Sequence, residues 1–172
     1  RSDNSAGHVM KVFGVVGFKN TGKTGLMERL VSEITSRGFT VSTIKHAHHS
    51  FDVDHPGKDS YRHRTAGASQ VLLSSGARWA LMSELRGAGK PALDTLLAQL
   101  NPVDLVLIEG YKTNAHPKLE TYRGVTNGTL LAPRDPTILA VASDCPVTAP
   151  QQKFDLDDTN AIADFILSEV GL

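Results

Sequence analysis

The chain has 172 residues, 40% of them hydrophobic and 21% charged, a composition typical of one globular domain and not of a disordered chain. Eighteen basic and eighteen acidic residues give a formal net charge of zero, so electrostatics does not favour a nucleic-acid or membrane partner. A single cysteine excludes an intramolecular disulfide and a multi-cysteine zinc site, and no apolar run approaches the roughly 18 residues of a membrane-spanning helix. We expect a cytoplasmic protein.

Residues 1–9 are small and polar, and we expect them to be a remnant of the expression vector or a short native extension. Strand-like and helix-like segments alternate after this tail. Runs of β-branched and apolar residues predict strands over residues 12–16, 39–44, 70–73, 78–82, 103–108, 119–122 and 138–142. Apolar positions at helical spacing predict helices over residues 23–36, 60–65, 91–100 and 159–170. Residues 124–135 fit neither pattern. The alternation predicts an α/β fold with a mainly parallel sheet, and residues 70–82 are expected to form a hairpin at its edge.

The segment GFKNTGKT, from Gly17 to Thr24, matches the phosphate-loop pattern G-x-x-x-x-G-K-[ST] and lies between the first predicted strand and the first predicted helix. Glycines let backbone N–H groups surround phosphate oxygens, and the positive end of the helix dipole favours the anion. Lys23 is expected to bridge the β- and γ-phosphates, and the Thr24 hydroxyl to ligate Mg²⁺. Further nucleotide contacts are expected from Gly17, Asn20, Thr21, Gly22 and Gly25. Residues 10–172 are therefore predicted to form a single P-loop nucleotide-binding domain, a mainly parallel sheet flanked by helices with an added β-hairpin.

A magnesium site beside such a loop needs a carboxylate at the C-terminal end of a neighbouring strand. Asp104 and Glu109 lie at opposite ends of one predicted strand, roughly 16 Å apart, so only one can reach the phosphates. We choose Glu109 as metal ligand and catalytic residue, with Gly110 allowing close approach to the γ-phosphate, and expect Asp104 at the surface or in a turn. Asp54 is the second candidate for both roles and Asp52 a weaker one, unless they belong to a solvated loop.

Residues 45–55 carry four of the seven histidines. A transition-metal site would use neutral imidazoles, but His46, His48 and His49 lack the i, i+4 spacing of a helical zinc motif. Basic side chains here and on the following helix favour a local basic lobe that binds an anionic ligand or partner, with a solvated surface as the alternative. The lobe consists of Lys45, His46, Lys58, Arg62, His63 and Arg64.

The sequence identifies the base weakly. Asp144 follows the last predicted strand, where a carboxylate could accept hydrogen bonds from the N1–H and N2–H₂ groups of guanine. The usual N-K-x-D string is absent, and the same position suits a carboxylate that only caps a strand end. The dinucleotide fingerprint of redox enzymes is also absent, which disfavours a nicotinamide or flavin cofactor. The residues alone therefore leave guanine and adenine open.

Four segments occur together: GFKNTGKT, IKHAHHSFDVDHPGKDSYRHRTAGA over residues 44–68, LIEGYK over residues 107–112 and HPKLE over residues 116–120. Together they resemble the MobB family of molybdopterin-guanine dinucleotide biosynthesis adaptor proteins, over residues 10–142. The resemblance implies a protein that binds GTP and Mg²⁺ and hydrolyses GTP weakly. It also implies a homodimer with extra strands that binds and assists the molybdenum cofactor guanylyltransferase (MobA-like), and that binds molybdopterin.

Carried over by motif, the resemblance assigns phosphate binding to residues 17–24, Mg²⁺ to Thr24, and a second nucleotide motif to Glu109 and Gly110. The family's signature loop contains Lys45, His46, Asp52, Asp54, Lys58, Asp59 and Arg62. The motifs contain no arginine finger or water-orienting Gln, so hydrolysis should be slow. Two alternatives remain: a small-molecule kinase with Asp52 or Asp54 as base and Arg62 and Arg64 as a lid, and a metal-delivery chaperone that uses the histidines.

Overall fold

A computed structural model describes residues 10–47 and 50–172 of the chain. The predictions on residues 1–9 and on His48 and His49 lie outside the described residues. The described chain divides into two compact units, the first made of residues 10–46 and 100–172 and the second of residues 47 and 50–99. Each unit has its own β-sheet.

The described residues form eight strands and four helices. The strands are β1 (Lys11–Val16), β2 (Val41–Lys45), β3 (Gln70–Ser74), β4 (Trp79–Ser83), β5 (Leu105–Glu109), β6 (Lys118–Tyr122), β7 (Ile138–Ser143) and β8 (Gln152–Asp155). The helices are α1 (Lys23–Ser36), α2 (Asp59–Thr65), α3 (Leu93–Leu97) and α4 (Thr159–Val170). No helix within residues 10–47 and 50–172 has the length and apolar character needed to cross a membrane.

The first unit contains a six-stranded sheet in the order β2-β5-β1-β6-β7-β8, with every neighbouring pair parallel. All five residues of β5 are buried, as are the last four of β1, and apart from Glu109 at the end of β5 these buried residues form continuous apolar runs. Because the strands are parallel, the loops that follow β1, β5, β6 and β7 emerge at the same edge of the sheet. This edge carries the phosphate loop.

Helices α1 and α4 pack together and cover one face of this sheet. In α1, Leu26, Leu30 and Ile34 recur at every fourth position and are completely buried, which explains the helix register. In α4, the Asp158 side chain accepts a hydrogen bond from Ala161 N and so caps the first turn. The core on this face includes Phe13, Val15, Leu105, Leu107, Leu119, Ala140, Ile162 and Ile166.

Residues 124–135, which fitted no pattern in the sequence, form two single-turn 3₁₀ helices, Gly124–Thr126 and Ala132–Arg134. Glu120 holds the second turn in place, because its carboxylate accepts hydrogen bonds from Leu131 N and Ala132 N at 2.9 and 2.7 Å. Glu120 is almost completely buried, and burial raises the pKa of its carboxyl against the lowering effect of these two N–H groups. A buried carboxylate therefore fixes a loop that lacks regular structure.

The second unit contains α2, α3 and an antiparallel hairpin of β3 and β4. Its main polar contact is the Arg64 guanidinium, which pairs with Asp54 at 2.8 Å, Asp52 at 3.0 Å and Glu84 at 3.5 Å. Arg64 also lies 5.0 Å from the centre of the Tyr61 ring. The hairpin presents large apolar side chains to solvent, with Leu72 61% and Trp79 59% exposed.

The predicted ends of α1 and α4 are confirmed to the residue, and the predicted strands are confirmed within two residues at each end. The prediction that the hairpin extends the edge of the main sheet is wrong, because β3 and β4 form a separate two-stranded sheet. No pattern in the sequence predicts β8, since Gln152–Asp155 is short and mostly exposed and has no apolar alternation.

Candidate functional site

The phosphate loop connects the buried end of β1 to the first turn of α1. Gly17 and Gly22 both have positive φ angles, 151° and 89°, that L-residues with side chains rarely adopt. Gly17 also has no space for a side chain, because a Cβ atom there would lie 2.6 Å from the hydroxyl oxygens of Thr21 and Thr121. The two glycines of the motif are therefore required by the backbone and by close packing.

Side chains from within the loop and from β6 hold the loop in place. The buried Thr21 hydroxyl donates to Phe18 O at 2.8 Å and shares a hydrogen bond with the Thr121 hydroxyl, also at 2.8 Å. Lys23 Nζ donates to Gly17 O and Phe18 O at 2.9 and 2.6 Å, which places its ammonium group over the loop. These hydrogen bonds order the loop around the Lys23 ammonium group.

The start of α1 suits an anion. Its N-cap residue, Gly22, has no side chain to cap the helix, and the first turn has no acidic residue. The N–H groups of the first turn therefore lack the side-chain acceptor that usually satisfies them, and the helix dipole adds positive potential. A phosphate group would supply the missing acceptor oxygens.

Further cations surround the Lys23 ammonium group. Burial lowers the pKa of Lys23, the carboxylate of Glu109 opposes this effect, and the charges of Lys45 and Lys112 lower the pKa further. Lys112 Nζ lies 5.7 Å from the centre of the Phe18 ring. The whole chain is neutral, but the phosphate loop is locally positive, which favours a polyanionic ligand.

Glu109 ends β5 beside the loop, as the sequence predicted. Its Oε1 atom accepts a 3.2 Å hydrogen bond from the Thr24 hydroxyl, and its Oε2 atom lies 3.6 Å from Lys45 Nζ. Glu109 is only 8% exposed. A hydroxyl and a carboxylate side by side at the start of α1 form the donor set that Mg²⁺ prefers, so these two residues fit the predicted metal.

Gly110 and His46 lie directly beyond this pair. Gly110 has a φ of 91° and donates its N–H to Val15 O, and a Cβ atom on Gly110 would lie 3.0 Å from His46 Cβ. His46 N donates to Glu109 O, and the His46 ring packs 5.1 Å from that of Tyr111. The structure therefore brings Lys45, His46, Glu109 and Gly110 together.

Asp104 lies at the opposite end of β5, as predicted. Its carboxylate accepts hydrogen bonds from the backbone N–H and the hydroxyl of Thr40, at 2.8 and 2.9 Å. This arrangement fixes the entry of β2 next to β5. Asp104 thus has a structural role away from the phosphate loop.

Other predicted site residues belong to the second unit: Asp52, Asp54, Lys58, Arg62 and Arg64. Asp54 is 7% exposed and its Oδ1 atom is paired with Arg64, so its carboxylate already has a cation partner. Its role as a metal ligand stays a prediction. Within residues 10–47 and 50–172, no three His, Cys, Asp or Glu side chains cluster closely enough to hold a metal ion.

Asp144 follows β7 at the same edge of the sheet as the phosphate loop. Its Oδ1 atom accepts a 2.8 Å hydrogen bond from Gly124 N, and the residue is exposed. Its Oδ2 atom accepts no hydrogen bond from the described residues. One oxygen of Asp144 therefore makes the strand-end contact that the sequence allowed, and the other faces no donor among the described residues.

Several polar residues near the core and the loop of the first unit were not predicted from the sequence. Lys118 is completely buried, and its ammonium group donates to His116 O, Thr137 Oγ1 and Asn114 O. Both ring nitrogens of His116 are buried without a hydrogen-bond partner among the described residues. Arg123 lies against the start of α1. The segment HPKLE was the one available signal for His116 and Lys118, and nothing in the sequence distinguished Arg123.

A parallel sheet whose first strand leads into a glycine-rich loop and a helix, with a carboxylate ending the adjacent strand, defines the P-loop NTPase-like class. The sequence model of the family described as "Molybdopterin guanine dinucleotide synthesis protein B", MobB, matches residues 12–144. The chain belongs to this family, which confirms the resemblance found in the sequence.

Two relatives match over most of their length. The "Molybdopterin-guanine dinucleotide biosynthesis adapter protein" of Haemophilus influenzae is 40% identical over 158 residues, covering 90% of this chain and 86% of the relative. The protein of the same description from Escherichia coli is 36% identical over 162 residues, covering 92% and 93%. The crystal structure of a MobB homolog from Bacillus stearothermophilus superposes with a TM-score of 0.67 at 29% identity, covering 94% of this chain and 99% of the homolog.

Proposed function

We propose that this chain is a GTP-binding adaptor in molybdopterin-guanine dinucleotide biosynthesis, located in the cytoplasm, with weak hydrolysis of GTP to GDP and phosphate. The observation that carries nucleotide binding is the position of the Lys23 ammonium group over the phosphate loop, 2.9 Å from Gly17 O, beside the Thr24–Glu109 pair. The adaptor role is supported by the descriptions of the Haemophilus influenzae and Escherichia coli relatives.

The chemistry of the site follows from charge and geometry. Lys23 would exchange its bonds to Gly17 O and Phe18 O for oxygens of the β- and γ-phosphates, and the N–H groups of the first turn of α1 would donate to the same anion. Thr24 and Glu109 would hold Mg²⁺, which neutralises charge on the β- and γ-phosphates when bound. These groups bind and position the nucleotide, which is consistent with slow hydrolysis.

The choice of guanine rests on family membership and on Asp144. Its Oδ1 atom is fixed by Gly124 N, and this contact orients the carboxylate while Oδ2 remains available to a base. A carboxylate accepts from the N1–H and N2–H₂ groups of guanine, whereas adenine offers an acceptor at N1. Asp144 should therefore discriminate in favour of GTP.

Calorimetric titration of the purified chain with Mg-GTP and Mg-ATP tests this proposal. We expect at least about ten-fold preference for GTP, and at least about 100-fold weaker binding of GTP after Lys23→Ala. Lys11→Gln is the matched control, because it removes one positive charge at the opposite end of β1. Equal affinities for GTP and ATP would remove the guanine assignment, and an unchanged affinity after Lys23→Ala would remove the phosphate-loop assignment.

The proposal includes a guanylyltransferase and molybdopterin as binding partners. We expect the purified chain to bind a MobA-like guanylyltransferase, and molybdopterin to bind this pair of proteins. Pull-down of the two purified proteins, with and without GTP and molybdopterin, tests both contacts. No retention of the guanylyltransferase under any of these conditions would contradict the adaptor role.

The homodimer is proposed to form through the hairpin of β3 and β4. Its exposed apolar side chains on one face form a patch of the kind that usually marks a protein interface, made of Leu72, Trp79 and Leu81. Sedimentation should show a dimer for the native chain and a monomer for Trp79→Ser. A dimer that persists in Trp79→Ser would place the interface elsewhere.

A further inference from the structure

Arg123 lies directly beside the phosphate loop, against Gly22. It follows the last residue of β6, and a Cβ atom placed on Gly22 would lie 3.2 Å from Arg123 Nη2 and 3.3 Å from its Nε atom. Leu156 Cδ2, at 3.3 Å from the same point, lies on the same side of Gly22. The planar end of Arg123 therefore packs against the residue that opens α1.

The Arg123 side chain forms no hydrogen bond or ion pair with any residue in the described part of the chain. It is partly buried, and it lies at the positive end of the α1 dipole. Two other arginines of the first unit have clear protein partners: Arg29 donates to Leu156 O and Arg37 to Asp164. The Arg134 side chain has no partner among the described residues either, but it is exposed to solvent, whereas Arg123 is partly buried. A guanidinium group kept beside a helix N-terminus without a protein acceptor indicates an anion that comes from outside the chain.

The sheet order determines which part of a nucleotide Arg123 can reach. Strands β5 and β6 flank β1 on opposite sides, so Glu109 at the end of β5 and Arg123 after β6 approach the phosphate loop from opposite sides. Metal held by Thr24 and Glu109 belongs to the β- and γ-phosphates. The side of Arg123 is then the side of the α-phosphate and the nucleoside.

We propose that Arg123 binds the α-phosphate of bound nucleoside di- and triphosphates and is the second phosphate-binding cation of the site beside Lys23. This inference rests on the proposed nucleotide binding. Because the α-phosphate is present before and after hydrolysis, Arg123 stabilises the GTP and GDP complexes equally. It is a binding residue, distinct from an arginine finger, which would act on the γ-phosphate alone.

Affinities of the native chain, Arg123→Gln, Arg123→Lys and Lys11→Gln for Mg-GTP and Mg-GDP test this inference. We expect Arg123→Gln to weaken both nucleotides by about ten-fold and to leave the ratio of the two affinities unchanged. Arg123→Lys keeps the charge but not the planar pair of donors, so it should recover part of the loss. Lys11→Gln should bind as the native chain does. Thermal unfolding of each variant verifies that the fold is intact.

Native affinity of Arg123→Gln for both nucleotides would overturn the inference while leaving the proposed function intact. A loss confined to GTP would also overturn it, because the contact would then be with the γ-phosphate. A native chain that binds neither nucleotide would overturn the proposed function and this inference together. Equal losses for GTP and GDP, with partial recovery in Arg123→Lys, would support the contact with the α-phosphate.

Discussion

The two units of this chain use their charged residues in different ways. In the first unit, two charged side chains are buried and fixed by the backbone: Lys118 bonds to carbonyl oxygens and Glu120 to N–H groups. In the second unit, Arg64 is paired with three carboxylates, and large apolar side chains of the hairpin are exposed. The first unit therefore resembles a rigid scaffold for a ligand, and the second a surface suited to partners.

The largest effect is expected from Gly17→Ala, which places a methyl group 2.6 Å from two hydroxyl oxygens at a φ of 151°. The loop must move, so GTP binding should weaken by more than about 100-fold and the free energy of unfolding should fall by about 2 to 4 kcal/mol. The matched control in the second unit is Gly76→Ala, where no atom lies within 4 Å and stability should stay within about 0.5 kcal/mol. Titration and urea denaturation measure both, and equal costs at the two sites would break the contrast.

Glu120→Ala should lower the free energy of unfolding by about 3 kcal/mol, because Leu131 N and Ala132 N would lose their buried acceptor. Glu120→Gln keeps an acceptor oxygen. Burial raises the pKa of Glu120, which means that the site penalises the negative charge, so the neutral amide should stay within about 1 kcal/mol of the native chain. Urea denaturation compares the two variants, and an equal loss in both would show that the charge, not the geometry, holds the loop.

Stability should fall as the pH is lowered from about 6.5 towards 4. Burial, with the charge of Lys118, lowers the pKa of His116 to about 4, whereas its ordinary value is 6.5. Between these values the unfolded chain takes up a proton on His116 that the folded chain does not, so the loss is complete below about pH 4 and amounts to about 3 kcal/mol.

Urea denaturation at several pH values, with His116→Gln, measures this contribution of His116. The variant should lose about 3 kcal/mol less than the native chain over this interval. His63→Gln, which removes an exposed histidine of the second unit, is the matched control. A native pH dependence in His116→Gln would show that other groups cause the loss.

The smallest effect is expected from Arg64→Gln. It leaves the buried carboxylate of Asp54 without its cation, so amides of α2 should exchange with solvent severalfold faster. Amides of β1 and β5 should keep native exchange rates, since Arg64 belongs to the second unit. Hydrogen exchange resolves the two units, and acceleration throughout the chain would show that they unfold as one.

The sequence predicted what local chemistry determines. The octet from Gly17 to Thr24 identified the turn between strand and helix, and the apolar spacing of α1 and α4 gave their ends. Glu109 could be chosen over Asp104 because strand length and direction separate them. These features depend on neighbours within a few residues.

What the sequence could not predict depends on contacts between distant segments. The hairpin has an ordinary strand pattern, which does not say which sheet edge the strands will join. The burial of Lys118 and Glu120 contradicts their usual surface preference, and it requires carbonyl and N–H groups that only the folded chain supplies. Arg123 is distant from Gly22 in sequence, and only the pairing of β6 with β1 brings it there.

The hydrogen bonds that order the phosphate loop also have a kinetic consequence. The hydrogen bond between Thr21 and Thr121 fixes the loop, and the Lys23 ammonium group donates hydrogen bonds to two carbonyl oxygens of the loop. Little chain entropy is then lost when a ligand arrives, so association should be limited by diffusional encounter and by the exchange of one lysine contact. Differences in affinity among nucleotides should accordingly appear in how slowly they depart.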